Sequence, residues 1–355
     1  MLIWLVAVAG AQEPPVLTVR EDVPEPNTVA FRLSLVPGIG IHAAPNAVVD
    51  GFSAGVVSVT QGLEGFDGQL GVSSVNGPVQ GAQLALGVAV ALEDVQGIQS
   101  ALGASVIGGS LEGMQATVGA NVIGDALQGV QAAVGANVII GEGSHGAQLS
   151  SGLNVARDLK GVQAGTINIA QKIQGAQAGL VNVADESQGV QVGLVNVART
   201  SNVSIGLLNF IGDGLHRVDV WTDTSSVANV ALKLGSKQVY TLLGVGVVNT
   251  SQDWLTTGGG LGVHLDVKPV WFEVDGSAWG LFSPTRGVAP GVLGRVRAQV
   301  GVDLFKRHVA PFAGVSLNTW AGTGAVWTRP VGVPFESRRD NKFVAWPGAH
   351  VGVSF

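Results

Sequence analysis

The sequence predicts an all-β protein: an antiparallel transmembrane β-barrel of roughly 16–20 strands, many of them supplied by short repeats. Three observations carry that reading. The chain contains a ladder of near-identical units, it is apolar on average without a long apolar run, and its apolar and polar positions alternate strictly. The ladder includes GVQAAVGANVI, GVQAGTINIA, GAQAGLVNVA and GVQVGLVNVA. Units begin at Gly81, Gly97, Gly113, Gly129, Gly146, Gly161, Gly175 and Gly189, with a last copy near Asn202 and weaker ones near Gly51 and Asp67. Early units recur every 16 residues and later ones every 14. That period is too short for a helical hairpin and fits one or two strands plus a turn.

Composition narrows the class. Of 355 residues 53 are Gly and only 12% are charged, and the mean hydropathy is +0.38. Ordinary soluble domains carry roughly a quarter charged residues. Beyond the first dozen positions there is no run of about 18 apolar residues that would make a membrane helix. A barrel that faces lipid with alternate residues reconciles these facts. The absence of Cys fits export through an oxidising compartment without disulfides. A net charge of −6 with no basic cluster argues against a nucleic-acid partner.

The N-terminus reads MLIWLVAVAGA before QEPP: Leu2 to Ala9 is apolar and Ala9-Gly10-Ala11 is a small-x-small cleavage signal. Residues 1–11 are therefore expected to be a signal peptide, and the Pro-rich, acidic residues 12–29 an extended leader. The barrel is expected over 30–355, with repeats over 51–212 and non-repetitive strands over 215–355. In FRLSLVPGIG, Phe31, Leu33 and Leu35 share one face and Arg32 and Ser34 the other. In the unit from Gly129, Val130, Ala132, Val134, Ala136, Val138 and Ile140 oppose Gly129, Gln131, Ala133, Gly135 and Asn137. Charges sit almost entirely between such runs, at Glu93, Asp94, Glu112, Asp125, Glu142, Arg157, Asp158, Lys160, Lys172, Asp185, Glu186 and Arg199; those are the turns.

The C-terminal region adds charge to the polar face. There Arg217, Asp219, Lys233, His264, Asp266, Lys268, Glu273, Asp275, Arg295, Arg297 and Asp303 are expected to point into a lumen. Mixed signs on neighbouring strands suit ion-pair ladders that fill a narrow interior, and a wide pore would use such groups for selectivity instead. The longest irregular stretch, 322–342, carries Arg329, Arg338, Arg339 and Lys342 and is expected to be an exposed loop.

Two architectures accommodate the repeats. Each can be one membrane-crossing strand of a single large barrel, or the repeats can coil as a narrow β-solenoid that stacks Gln and Asn, leaving a small C-terminal barrel. The lack of aromatics between Phe66 and Phe210 favours the solenoid. So do the 14-residue units, which delete a residue between Gln and Asn; a corner absorbs that, whereas a strand needs a bulge. Uninterrupted alternation and the thin core of so short a coil favour the single barrel, which is the expectation adopted.

The repeats, the opening strand FRLSLVPGIG, the exit VSIGLLNFIGDGLHRVDVW and the following LKLGSKQVYTLLGVG resemble the leptospiral-type "surface repeat" family of predicted bacterial outer-membrane proteins, over roughly residues 30–265. The resemblance implies export and an outer-membrane or surface location and carries no catalytic residues. The chain also ends on an amphipathic strand in which Phe355, Val353 and Val351 share a face. This is similar to the C-terminal signal of bacterial outer-membrane barrels, which implies lipid and the barrel assembly machinery as partners.

Candidate chemistry is thin. Gly51-Phe52-Ser53-Ala54-Gly55 matches G-x-S-x-G, but it aligns with GVQAG of the repeat and no helix is expected after it. Thr256–Gly262 (TTGGGLG) lacks the following helix of a phosphate loop and reads as small residues in a bend at the start of a strand. The six His (42, 145, 216, 264, 308 and 350) form no metal-binding spacing. The expectation is a non-enzymatic outer-membrane protein without cofactors, porin-like or structural. The alternative is a surface-exposed repeat protein for binding or adhesion, and a small solute or surface ligand stays open.

Overall fold

The computed structural model describes residues 27–248, 254–284, 287–304, 309–322 and 343–355. The expected signal peptide, most of the leader, and the segment carrying Arg329, Arg338, Arg339 and Lys342 lie outside the described residues. The described chain is all β and falls into two parts. The first holds β1 (Asn27–Val36), β2 (Ile39–Ile41), β3 (Ala47–Thr60), β4 (Gly62–Val75), β5 (Val79–Ala85), β6 (Val88–Ala91), β7 (Val95–Ala101), β8 (Ala104–Ile107), β9 (Leu111–Thr117), β10 (Ala120–Ile123), β11 (Leu127–Ala133), β12 (Ala136–Ile139), β13 (Ser144–Ser150), β14 (Leu153–Ala164), β15 (Ile167–Ala178) and β16 (Val181–Ile211). The second holds β17 (Leu215–Asp223), β18 (Ser226–Gly235), β19 (Val239–Val248), β20 (Leu255–Val267), β21 (Val270–Ser283), β22 (Gly287–Val302), β23 (Ala310–Gly322) and β24 (Phe343–Ser354).

The repeats do not form barrel strands. Equivalent strands of successive repeats pair in parallel and in register, as in β5–β7–β9–β11–β13 on one side and β6–β8–β10–β12 on the other. Gly97 pairs with Gly113, Gly129 with Gly113, and Asn121 with Asn137. This is a β-solenoid of two strands per coil, and it corrects the expectation of a single large barrel of 16–20 strands. The closed barrel has eight antiparallel strands, β17 to β24, and β24 pairs back onto β17.

The unbroken alternation concealed a corner. At Val134-Gly135 the chain turns between β11 and β12, and Val134 projects outward there, as alternation alone would require. The 14-residue units shorten the coil at its corners. Five residues separate Gln131 from Asn137, whereas four separate Gln177 from Asn182, and all four side chains are fully buried. The opposite corner shortens too. Ile123 and Leu127 enclose three residues around Asp125, but Ala170 and Ile173 enclose only two. Over most of the solenoid the inward position ending the second strand changes from Ile107, Ile123 and Ile139 to Ala156, Ala170, Ala184 and Ala198 with the shorter corner, with Ala91 in an early coil and Ile211 in the last as exceptions. A narrower coil leaves room for a smaller side chain.

Each repeat Gly has a specific task. Gly129 has φ +144, and a Cβ there would stand 1.9 Å from the carbonyl oxygen of Gly113 in the preceding coil. The left-handed backbone kinks the strand so that the following Gln turns inward while coil stacks on coil. Gly143, in the extended corner before β13, has φ +77 but open space around it. Gly143→Ala is therefore expected to lose about 1–2 kcal/mol from backbone strain alone, and Gly129→Ala clearly more, because contact adds to strain. Urea-unfolding midpoints of the two variants measure this, and equal losses would show that close coil stacking does not limit residue choice.

Candidate functional site: the filled barrel interior

The barrel strands alternate with charge inside. Asp219 and Lys233 face each other from β17 and β18, Glu273 and Asp275 come from β21, Arg295 and Arg297 from β22, and His264 from β20; all are buried. Lys233 sits at the centre. Its Nζ lies 2.5 Å from Asp219 Oδ2 and donates to Glu273 Oε2. Glu273 also accepts from Gln299 Nε2 at 2.7 Å and from the Tyr240 hydroxyl at 3.3 Å, and its other oxygen lies 2.9 Å from His264 Nδ1. Arg297 makes a two-pronged pair with Asp275, Nε to Oδ1 at 2.9 Å and Nη2 to Oδ2 at 2.8 Å. This fork geometry is the strong form of the Arg–carboxylate contact. Nearer the opposite end, Arg295 pairs with Asp223 at 3.2 Å and donates to Asn229 at 3.3 Å.

Aromatic rings wall these ions in. The guanidinium of Arg297 lies 4.4 Å from the Trp221 ring centroid, Lys233 Nζ 4.8 Å from Tyr240, and Arg295 5.4 Å from Trp279. Such contacts gain strength where water is absent. Trp221, Tyr240, Trp271, Trp279, Phe312 and Trp346 belong to one buried cluster inside the barrel. Glycines opposite the rings make the room. A Cβ on Gly301 would fall 2.2 Å from Trp271, and one on Gly262 2.3 Å from Tyr240. The TTGGGLG segment is therefore not a bend. It lies within β20, and its inward Gly258 and Gly262 accommodate Trp279 and Tyr240.

Not every expected lumen residue reaches the interior. Arg217 and Asp303 form a looser pair at 3.7 Å near the barrel end, where Arg217 also stacks 5.1 Å from the Trp271 centroid. Asp266, near the end of β20 and paired with Trp271, and Lys268, in the turn after it, are both exposed and not part of the buried network. Sequence reading missed Tyr240, Asp223 and the Trp residues. Trp271 follows the same alternation as Glu273 and Asp275, so its inward position was legible, but an aromatic on a polar face reads as apolar. Lys233 and Glu273 are at most 1% accessible in this layer.

Outside, the wall is apolar. Val218, Val220, Leu232, Val245, Val263, Phe272, Val274, Val296, Val300, Leu317 and Val351 are all exposed. Val351 and Val353 lie in β24, and Phe355, exposed, extends its pairing by exchanging two backbone hydrogen bonds with Val218, at 2.9 and 3.0 Å, in the closing seam.

The solenoid repeats this inversion. Arg32 and Ser34 are buried while Phe31, Leu33 and Leu35 are exposed. Arg32, Ser53, Asp67 and Gln83 stand in one inward column, continued by Gln99 to Gln191. Ser53 accepts a hydrogen bond from Gln69 at 3.3 Å there, as a column member beneath the stack. Among the described residues no group of three or more His, Asp or Glu could hold a metal ion. No protein-family model, curated protein or solved structure matches the chain.

Removing one partner from a buried ion cluster leaves the others uncompensated. Lys233→Met is expected to destabilise the barrel by about 3–5 kcal/mol, and Lys237→Met, which breaks an exposed pair with Asp213 at 2.8 Å, by less than about 1 kcal/mol. Urea midpoints of the full chain in detergent provide the comparison.

Proposed function

We propose that this chain is a bacterial outer-membrane protein whose eight-stranded barrel is a closed membrane anchor, not a solute channel, holding the solenoid at the membrane. The observation that carries this reading is the inversion of the barrel: a desolvated ion and aromatic network inside, and Val, Leu and Phe exposed on every strand outside. Water would reward the opposite arrangement, because exposed apolar area is costly there and buried charge more so. A hydrocarbon surround favours the observed one.

Further features support it. The strand number is even, the strands run from 9 to 16 residues, and the closed ladder leaves no unpaired edge among the barrel strands. Every backbone group in hydrocarbon needs an internal partner, and only closure supplies that to a sheet. The seam contact of Phe355 is consistent with the resemblance of this strand to a barrel assembly signal. The filled interior argues for a structural rather than porin-like role.

The exposed Val296, 54% accessible on β22, separates the two surroundings. In lipid, Val296→Arg is expected to cost about 2–4 kcal/mol; in water a surface change of this kind stays within about ±0.5 kcal/mol. Unfolding midpoints in vesicles read the difference. The refolded protein is also expected to show heat-modifiable migration and no single-channel conductance in planar bilayers. Stable conductance steps would overturn the closed anchor, and solubility without detergent would overturn the membrane reading altogether.

A further inference from the structure

The solenoid's outer surface is segregated in a way that the barrel anchor does not require. In eight successive coils the stretch from the repeat Gly to the end of the second strand, such as Gly81–Ala91 or Gly189–Ala198, contains no Asp, Glu, Lys or Arg. All ionisable side chains of these coils gather near the corner that joins one repeat to the next, where Arg199 pairs with Asp185 at 2.9 Å and Glu186 at 2.6 Å. The opposite corner is apolar apart from Ser151 and Thr166: Leu86, Leu102, Val118, Val134, Leu180 and Leu194 are each 52–57% exposed, and the two hydroxyls donate to the carbonyls of Val134 and Ser151. With coils about 4.8 Å apart, this stripe runs roughly 40 Å. Soluble monomers rarely expose so many large apolar side chains along one corner, even with two hydroxyl-bearing positions between them.

The stripe leads to the barrel wall. In the last coil Asn209 donates to Thr241 Oγ1 at 2.8 Å, and that hydroxyl donates to the Gly206 carbonyl. Thr241 lies on the outward face of β19, the face that also presents exposed Val245 and Val247. Leu207 and Phe210 of the same coil are exposed too. The apolar corner and the barrel exterior thus meet at one junction. Beneath the stripe the inward amides bond to each other and the coil backbones bond to the coils above and below, with a few hydroxyls such as those of Ser105, Thr117 and Ser150 left without a partner. A sheet with its backbone polar groups satisfied internally can enter hydrocarbon.

We propose that the solenoid lies along the membrane with its apolar corner immersed in lipid acyl chains and its charged corner in water, so that the lipid-contacting surface of the barrel continues along the repeats. This rests on the barrel itself being in the membrane. It makes the repeats a membrane-lying element, as an amphipathic interfacial helix is, and not a freely projecting module.

The chain has no Cys, so single substitutions give unique attachment points. Nitroxide labels at Leu102→Cys and Leu180→Cys report the apolar corner, Asp125→Cys and Lys172→Cys the charged corner, and Val296→Cys the barrel wall. The full-length protein is reconstituted in phosphatidylcholine vesicles, and collision rates with oxygen and with a water-soluble nickel chelate are compared. Expected are labels at Leu102 and Leu180 that meet oxygen several-fold more readily than nickel, as at Val296, with the order reversed at Asp125 and Lys172. Should Val296 report lipid while Leu102 and Leu180 behave like Asp125, the solenoid stands in water and this proposal fails, leaving the barrel anchor intact. Should Val296 report water as well, the anchor fails first and this proposal with it. Labels at Leu102 and Leu180 shielded from both reagents and broadened by a second spin would mean that another copy of the chain covers the stripe, which also overturns lipid contact. Where either Leu variant loses its β circular-dichroism signal, Val134→Cys gives the same readout with a smaller change in volume.

Discussion

The structure depends on side-chain amides that bond from coil to coil. Gln131 donates to Gln115 at 2.9 Å, Gln148 to Gln131 at 2.9 Å and Gln163 to Gln148 at 2.7 Å, so the Gln ladder points toward the N-terminus. Asn137 donates to Asn154 at 2.9 Å and Asn154 to Asn168 at 2.8 Å, so the Asn ladder points toward the C-terminus. Each direction is fixed by a backbone carbonyl that takes an N–H of the same amide, Val138 for Gln131 and Leu149 for Asn137. Two chains of aligned amide dipoles in a dry interior therefore run in opposite senses and offset one another. Register follows as well: a slip by one residue would bury outward Val and Ala and leave every amide without its neighbour.

A polar interior dictates an apolar exterior. The solenoid's inner space is shared between the two amide ladders and a narrow apolar strip of two facing columns, one from Leu63 and Val79 to Ile173 and one from Val75 to Ile211. The remaining Val, Leu and Ile have only the outside left. The barrel meets the same constraint with ions in place of amides, and its interior is closed by aromatic rings. The two parts are joined through this chemistry, since the Asn ladder ends on Thr241 of the barrel.

Alternation made the faces legible from sequence. Gln131 and Asn137 were set against Val130, Val134 and Val138, and the structure separates them in that way. Partners were not legible, because a period of two says which side chains share a face and nothing about whether the neighbouring strand runs parallel. Val134 hid the corner by pointing outward where alternation would have placed it. The decisive signals were the missing residue between Gln177 and Asn182 and the absence of aromatics along the repeats. Both pointed to the solenoid and were outweighed by the thinness of its core, an objection that assumed an apolar core where much of the space is filled by hydrogen-bonded amides. In the barrel, Lys233, Glu273 and Arg297 were readable as inward by alternation. Trp271 shares the inward alternation of Glu273, but the pattern does not say that it or Tyr240 packs against those ions, since an aromatic ring suits either face.

Hydrogen exchange of the side-chain amides tests the central claim most directly, read by NMR on the isotope-labelled full chain. The stacked Gln115, Gln131 and Gln148 are predicted to keep their side-chain NH₂ signals long after transfer to D₂O, while the exposed Gln96 and Gln128 lose theirs at once. Equal, immediate exchange of all five would contradict a buried amide ladder and the inverted architecture built on it.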